Sequence, residues 1–130
     1  MPQFQNPDEL PKPSGYSHVA KTEVGTRTIY VAGQLPFDRN GKLVGHSDFR
    51  QQTVQVFENV RTALAAAGAE FTDVVKLTTY LTDMSKRSIF HEVRASFINM
   101  AAPPAGTLIG IATLANPDAM IEIEAIAVVR

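Results

Sequence analysis

At 130 residues, 45% of them hydrophobic, the chain has the length of one ordinary domain, and a domain of this size removes roughly two thirds of its unfolded surface from water. Twelve basic against thirteen acidic residues leave a net charge of -1, which excludes the overall positive field that draws a protein to nucleic acid or anionic lipid. The absence of cysteine excludes disulfides, thiolate nucleophiles and cysteine-ligated metals, and it accords with a reducing compartment, so a cytoplasmic location is expected.

The N-terminal stretch MPQFQNPDELPKP carries neither a basic leader nor an apolar core, and no stretch of the chain reaches the ~20 apolar residues of a membrane span. Neither membrane nor secretion is expected. Four prolines from Pro2 to Pro13 oppose both helix and central strand, because proline lacks a backbone donor and fixes φ. Residues 1–14 are therefore read as an extended arm on a single domain of 1–130.

Tyr16 to Val24 and Thr28 to Gly33 suit strands, and Gly25 between them supplies a turn, which predicts a hairpin. Asn40-Gly41 favours a tight turn, with a short strand at Lys42-Leu43-Val44 after it. Ser47 or Asp48 can cap a helix whose stripe is Val54, Phe57, Val60, Leu64 and Ala67, with Gly68 closing it. Val74 to Leu81 is rich in β-branched residues and reads as a strand. Ser85 then offers a cap for a second helix bearing Ile89, Val93 and Phe97, widened by Phe90 and Met100, which ends near Met100 before Pro103-Pro104.

Gly106 to Leu114 and Met120 to Val129 are strand-like runs on either side of an Asn116-Pro117-Asp118 turn, which predicts a second hairpin. The order ββ(β)αβαββ suits an α+β fold: a single sheet with two helices packed on one face. The last strand is apolar on both sides, with Ile121, Ile123, Ala125, Ala127 and Val129 on one and Met120, Ile126 and Val128 on the other. A sheet of that kind needs a cover on its second face, so an oligomer is expected.

Glu122 and Glu124 share one side of this apolar strand. Carboxylates so placed either pair with a cation or have their pKa raised, and both conditions suit proton transfer, although a rim position or a salt bridge is the commoner outcome. In VAGQLP, Gly33 stands at a strand end before Pro36, where its missing side chain would admit a ligand or mark a bulge. His91 lies off the main apolar stripe of the second helix, with a pKa range suited to acid-base work. His18 and His46 are isolated, no metal-ligand spacing is present, and the dinucleotide, phosphate-loop, nucleophilic-serine and RNA-binding signatures are all missing.

The segments VAGQLP, ENVRTALAAAGAEFTDVVKLTTYLTDM and IEIEAIAVVR together resemble the Rid (reactive intermediate deaminase, or YjgF) family, also labelled L-PSP endoribonucleases, over nearly the whole chain. The resemblance implies a chorismate-mutase-like fold assembled as a homotrimer, with a small-molecule ligand in each inter-subunit cleft and no cofactor or metal. It implies hydrolysis of reactive enamines and imines to ammonia and a keto acid, with Tyr16 and Gly33 lining the cleft and Glu122 positioning the hydrolytic water. In deaminating members an arginine after a Pro-Ala pair grips the substrate carboxylate, which suits the planar guanidinium fork. Here that position is Gly106, in Pro104-Ala105-Gly106-Thr107, and Arg94 is a candidate for a replacement positive charge only if its helix face turns toward the cleft. The family's helix asparagine falls on His91 and its site cysteine on Leu108, and Thr107 completes the expected cleft lining. Three functions follow: an imine or enamine deaminase of altered specificity, acting on a substrate without the usual carboxylate; a trimeric metabolite binder without catalysis; and an endoribonuclease. The last ranks lowest because the chain offers no basic groove and no paired His-His or His-Lys arrangement, so nucleic acid is not an expected partner.

Overall fold

The computed structural model describes residues 2–130; Met1, the first residue of the expected arm, lies outside the described residues. Six strands and two α-helices follow one another as β1 (Gln3–Gln5), β2 (Val19–Lys21), β3 (Arg27–Gln34), α1 (Phe49–Ala66), β4 (Val74–Leu81), α2 (Arg87–Arg94), β5 (Ala105–Gly110) and β6 (Ile121–Val129). The fold is α+β, with a mixed four-stranded sheet in the order β3-β6-β4-β5. In place of one sheet there are two, because β1 and β2 form a separate antiparallel ribbon.

That ribbon corrects the first predicted hairpin. Gly25 turns the chain with φ 86°, but β2 pairs with β1 out of the arm, and β3 pairs with β6. The C-terminal hairpin also does not form. The Asn116-Pro117-Asp118 turn is present, with the Asp118 amide donating to Asn116 Oδ1 at 2.8 Å, yet β6 runs antiparallel to both β3 and β4, and β5 lies parallel to β4 on the far side. The strand that is apolar on both faces takes the middle of the sheet, where both of its edges are paired. A parallel pair needs a crossover, and α2 provides it between β4 and β5.

Both helices pack on the sheet face that carries Ile121, Ile123, Ala125 and Ala127, all fully buried or nearly so. Asp48 caps α1, its Oδ1 accepting from the Gln51 amide at 3.0 Å, while Ser47 sits outside the helix with φ 60°. Gly68, φ 75°, closes it, and the Ala69 amide reaches back to the Leu64 carbonyl. The buried stripe is Phe49, Gln52, Thr53, Val56, Phe57, Val60 and Leu64. Val54 is 39% exposed and Ala67 is exposed at the C-cap, so the expected stripe was rotated by part of a turn. Phe57 stacks on Phe97 and Phe90, with centroids 4.9 and 6.1 Å away, and so joins the two helices.

The second helix is shorter than expected. Asp83, not Ser85, accepts the capping bond, from the Ser85 amide at 3.0 Å, and opens a 3-10 turn at Met84–Lys86. The α-helix ends at Arg94 and continues as tight turns to Ile98, with the Phe97 and Ile98 amides both donating to the Arg94 carbonyl. Its buried residues are Phe90 and Val93; Met100 is exposed. Lys42-Leu43-Val44 makes one bridge, Phe37 to Leu43, and no strand, and β5 stops at Gly110 rather than Leu114. Among the described residues, no helix is long and apolar enough to cross a membrane.

Candidate functional site

Alternation along the strands divides the expected site residues between the two sheet faces. Gly106 and Leu108 stand opposite Leu77 and Thr79 of β4 on the helix side, whereas Thr107 pairs with Thr78 and shares the open side with Glu124. Glu122 is opposite Tyr80 on that same open side.

On the helix side, β5 is an edge strand whose outer edge meets residues 14–17. Ser17 is buried, its amide donating to the Pro104 carbonyl at 2.9 Å and its hydroxyl to the Pro103 carbonyl at 2.6 Å. This anchoring holds Tyr16 over Gly106, where a Cβ added to the glycine would lie 3.4 Å from Tyr16 Cβ. Between this segment, β5 and α2 lies a cavity of about 430 Å³, within the size range of small-molecule sites. Tyr16, His91, Gly106, Thr107 and Leu108 border it. So does Arg94, which the predicted helix face left unplaced.

Arg94 reaches the cavity from α2 with its guanidinium over the Phe90 ring, Cζ 5.4 Å from the centroid. It runs so close to Gly15 that a Cβ there would come within 2.0 Å of one guanidinium nitrogen. The Nε is buried and has no hydrogen-bond partner. Burial pulls the guanidinium below its ordinary pKa, although arginine at such a starting value keeps its charge. His91 is held below the usual histidine range first by burial and then by Arg94 and Arg87, which favours the neutral imidazole.

On the open side, a bulge in β3 between Val31 and Gln34 brings Gly33 against Glu122. A Cβ at Gly33 would lie 2.6 Å from Glu122 Oε1, so the glycine is where the sheet makes room for this carboxylate. Of the two expectations for Gly33, the bulge is present, and the group lying against its backbone is the Glu122 side chain. Burial raises the Glu122 carboxyl above its usual range, and the neighbouring Glu124 carboxylate adds to the effect. No lysine or arginine lies within ion-pair distance of Glu122 among the described residues. Glu124 accepts a 2.5 Å hydrogen bond from the Tyr80 hydroxyl, and Lys76 donates to Thr107 Oγ1. Thus neither of the two strand carboxylates is neutralised by a cation. No cluster of histidine, aspartate and glutamate suited to a metal ion occurs among the described residues.

The chain therefore divides the expected site residues into two groups: a cavity with Tyr16, His91, Gly106, Thr107, Leu108 and, in addition, Arg94, and, on the other face of the sheet, the Gly33-Glu122 pair. The signal for Arg94 was an arginine one turn after Phe90 and three residues after His91, but only the helix axis decides which way it faces.

Comparison with known proteins gives a consistent result. The family model described as Endoribonuclease L-PSP matches residues 8–129. A RutC family protein of Pyrococcus horikoshii is 38% identical over 122 residues, 92% of each chain. Among solved structures, YyfB of Yersinia pestis, a protein of unknown function of the conserved Rid family, superposes with a TM-score of 0.89 at 37% identity, covering 97% of both chains. TdcF of Escherichia coli, solved with bound serine, gives a TM-score of 0.71 at 30% identity over 84% of both chains.

Proposed function

Because the chain belongs to the Endoribonuclease L-PSP family, together with the RutC and Rid proteins, we propose that it is a small-molecule hydrolase of the imine and enamine type. It works as a homotrimer in the cytosol, and its specificity differs from that of relatives carrying an arginine at the Gly106 position. The observation that carries this reading is Glu122: a partly buried carboxylate with no cation partner, raised in pKa, held against a glycine at a strand bulge. Such a group can accept a proton from water as the water oxygen attacks an imine carbon. Collapse of the resulting aminoalcohol breaks the C–N bond, returns a proton to nitrogen and releases ammonia and a carbonyl compound. The balance requires only water.

Glu122 and the cavity face opposite ways in one protomer, so both reach a single ligand only across a subunit boundary. A ring of three with head-to-tail contacts, the open sheet face of one copy against the cavity side of the next, closes three such clefts. Tyr16, His91, Thr107 and Leu108 then line the substrate and Gly33 gives it access to the backbone. The serine bound to TdcF supports a small polar ligand in this family. Gly106 favours a second reading, a trimeric metabolite binder without turnover, since β5 offers no cation to hold a carboxylate. Despite the family's description, RNA cleavage ranks last for a chain with net charge -1.

Ammonia release from 2-iminopropionate and from uncharged imines separates these readings, comparing the native chain with Glu122→Ala and Gly106→Arg. Hydrolysis by the native chain that Glu122→Ala loses supports the hydrolase. Activity only in Gly106→Arg contradicts it and leaves the ligand-binding trimer.

A further inference from the structure

We infer that the cavity between α2 and β5 binds a small organic carboxylate with an apolar body, and that Arg94 is the group that grips it. This deepens the proposed function by naming a ligand class for the same cleft; it rests on the substrate entering this cavity, though not on its being hydrolysed.

A guanidinium partly removed from water without a counter-ion is costly, and folded proteins usually give such a group a carboxylate or a set of carbonyls. Arg94 has neither: its Nε is buried without a partner, and no aspartate or glutamate lies within ion-pair distance among the described residues. The cavity lining contains no acidic residue at all. The ionisable groups in its lining are Tyr16, His91 and Arg94, and the charges that act on His91 are those of Arg94 and Arg87, both basic. The local field therefore favours an anion.

The guanidinium also has close neighbours. Phe90 supports one face, and the other end passes close over Gly15, where a Cβ would meet it. Gly15 has φ 77°, so the backbone conformation selects glycine there. A planar fork suits two parallel bonds to a carboxylate better than a flexible ammonium does. Around the rest of the cavity Leu77, Phe90, Ile98 and Leu108 supply apolar surface, which sets the character of the ligand's body. Gly106 leaves open the space on β5 beside Tyr16. In this chain the cation enters from the helix wall instead of from the strand.

Phenylacetate and phenylacetamide, alike in shape and different in charge, test the assignment by titration calorimetry on the full-length native assembly. The acid is expected to bind at least about tenfold more tightly than the amide. Arg94→Met should remove that preference, and Arg94→Lys should keep only part of it. Backbone amide shifts in the native protein should fall on Gly15, His91 and Gly106, which locates the ligand even if an Arg94 variant folds poorly. Equal binding of acid and amide, binding of the acid unchanged in Arg94→Met, no binding of either, or shifts confined to another surface overturns the inference. Calorimetry reads binding without turnover, so loss of imine hydrolysis alone leaves it standing.

Discussion

Glu122 and Gly33 touch because the β3 bulge removes a side chain where the carboxylate needs room. Gly33→Ala is expected to push the carboxylate aside, since the obstructing atoms are the far end of a flexible side chain. Thermal stability should fall by less than about 1 kcal/mol, while ammonia release falls well below native; a crystal structure of the variant would show the displaced carboxylate. The raised pKa of Glu122 also fixes a sign. A carboxyl whose folded-state pKa lies above its unfolded value is most costly to the fold when ionised, so this destabilisation is present at neutral pH and disappears as pH falls through the folded value towards the unfolded one. Glu122→Gln should therefore melt higher than the native chain at pH 7, with the difference closing at acid pH. Both residues could be picked out of the sequence because each breaks a local pattern: a charge in an apolar strand and a glycine at a strand end. Arg94 is legible only as a conditional candidate for a replacement cation, since nothing in the spacing of α2 distinguishes a solvent-facing arginine from one turned over Phe90.

At the scale of elements, α1 shows where pattern reading slips. Val54 is apolar and fits the expected stripe, but the buried face passes through Gln52 and Thr53, which are 0% exposed. They are tolerated inside because they are satisfied. Gln52 donates to the Gly45 and Asp118 carbonyls and accepts from the Met120 amide at 2.8 Å, and the Thr53 hydroxyl donates to the Phe49 carbonyl. Gln52 thus ties the start of α1 to the entry of β6, a link with no signature in sequence because its partners are backbone atoms far along the chain. Gln52→Leu keeps the volume and leaves those groups unpaired, so a loss of roughly 2 kcal/mol or more is expected in urea unfolding. Asp48→Ala, which removes only the cap, should lose about 1 kcal/mol. An equal loss in the two variants would contradict the role given to Gln52.

For the whole molecule, composition and element order led to the α+β class and the helices on one face, but not to the strand order. Sequence neighbours suggested two hairpins, whereas the sheet places β6 centrally and sends β5 to the edge through a crossover. Long-range pairing of this kind is decided by which strand is apolar on both sides, and β6 is. The face away from the helices mixes Ile126 and an exposed Tyr30 with Lys76, Thr78, Glu122 and Glu124, so an assembly that covers it is expected to join apolar contact with polar chemistry. On the proposed reading of a homotrimeric hydrolase, Ile126→Arg should shift sedimentation towards monomer and abolish ammonia release with it.

The central claim, that a working site takes Glu122 from one copy and the cavity from its neighbour, is open to a direct test by mixing. Glu122→Gln retains an intact cavity, and Leu108→Trp blocks the cavity while retaining Glu122; each alone should be inactive towards the native chain's imine substrate. After the two are unfolded and refolded together in equal amounts, random rings should recover about a quarter of the native rate of ammonia release, because one site in four then receives both intact halves. A mixture as inactive as its parents would contradict the shared site.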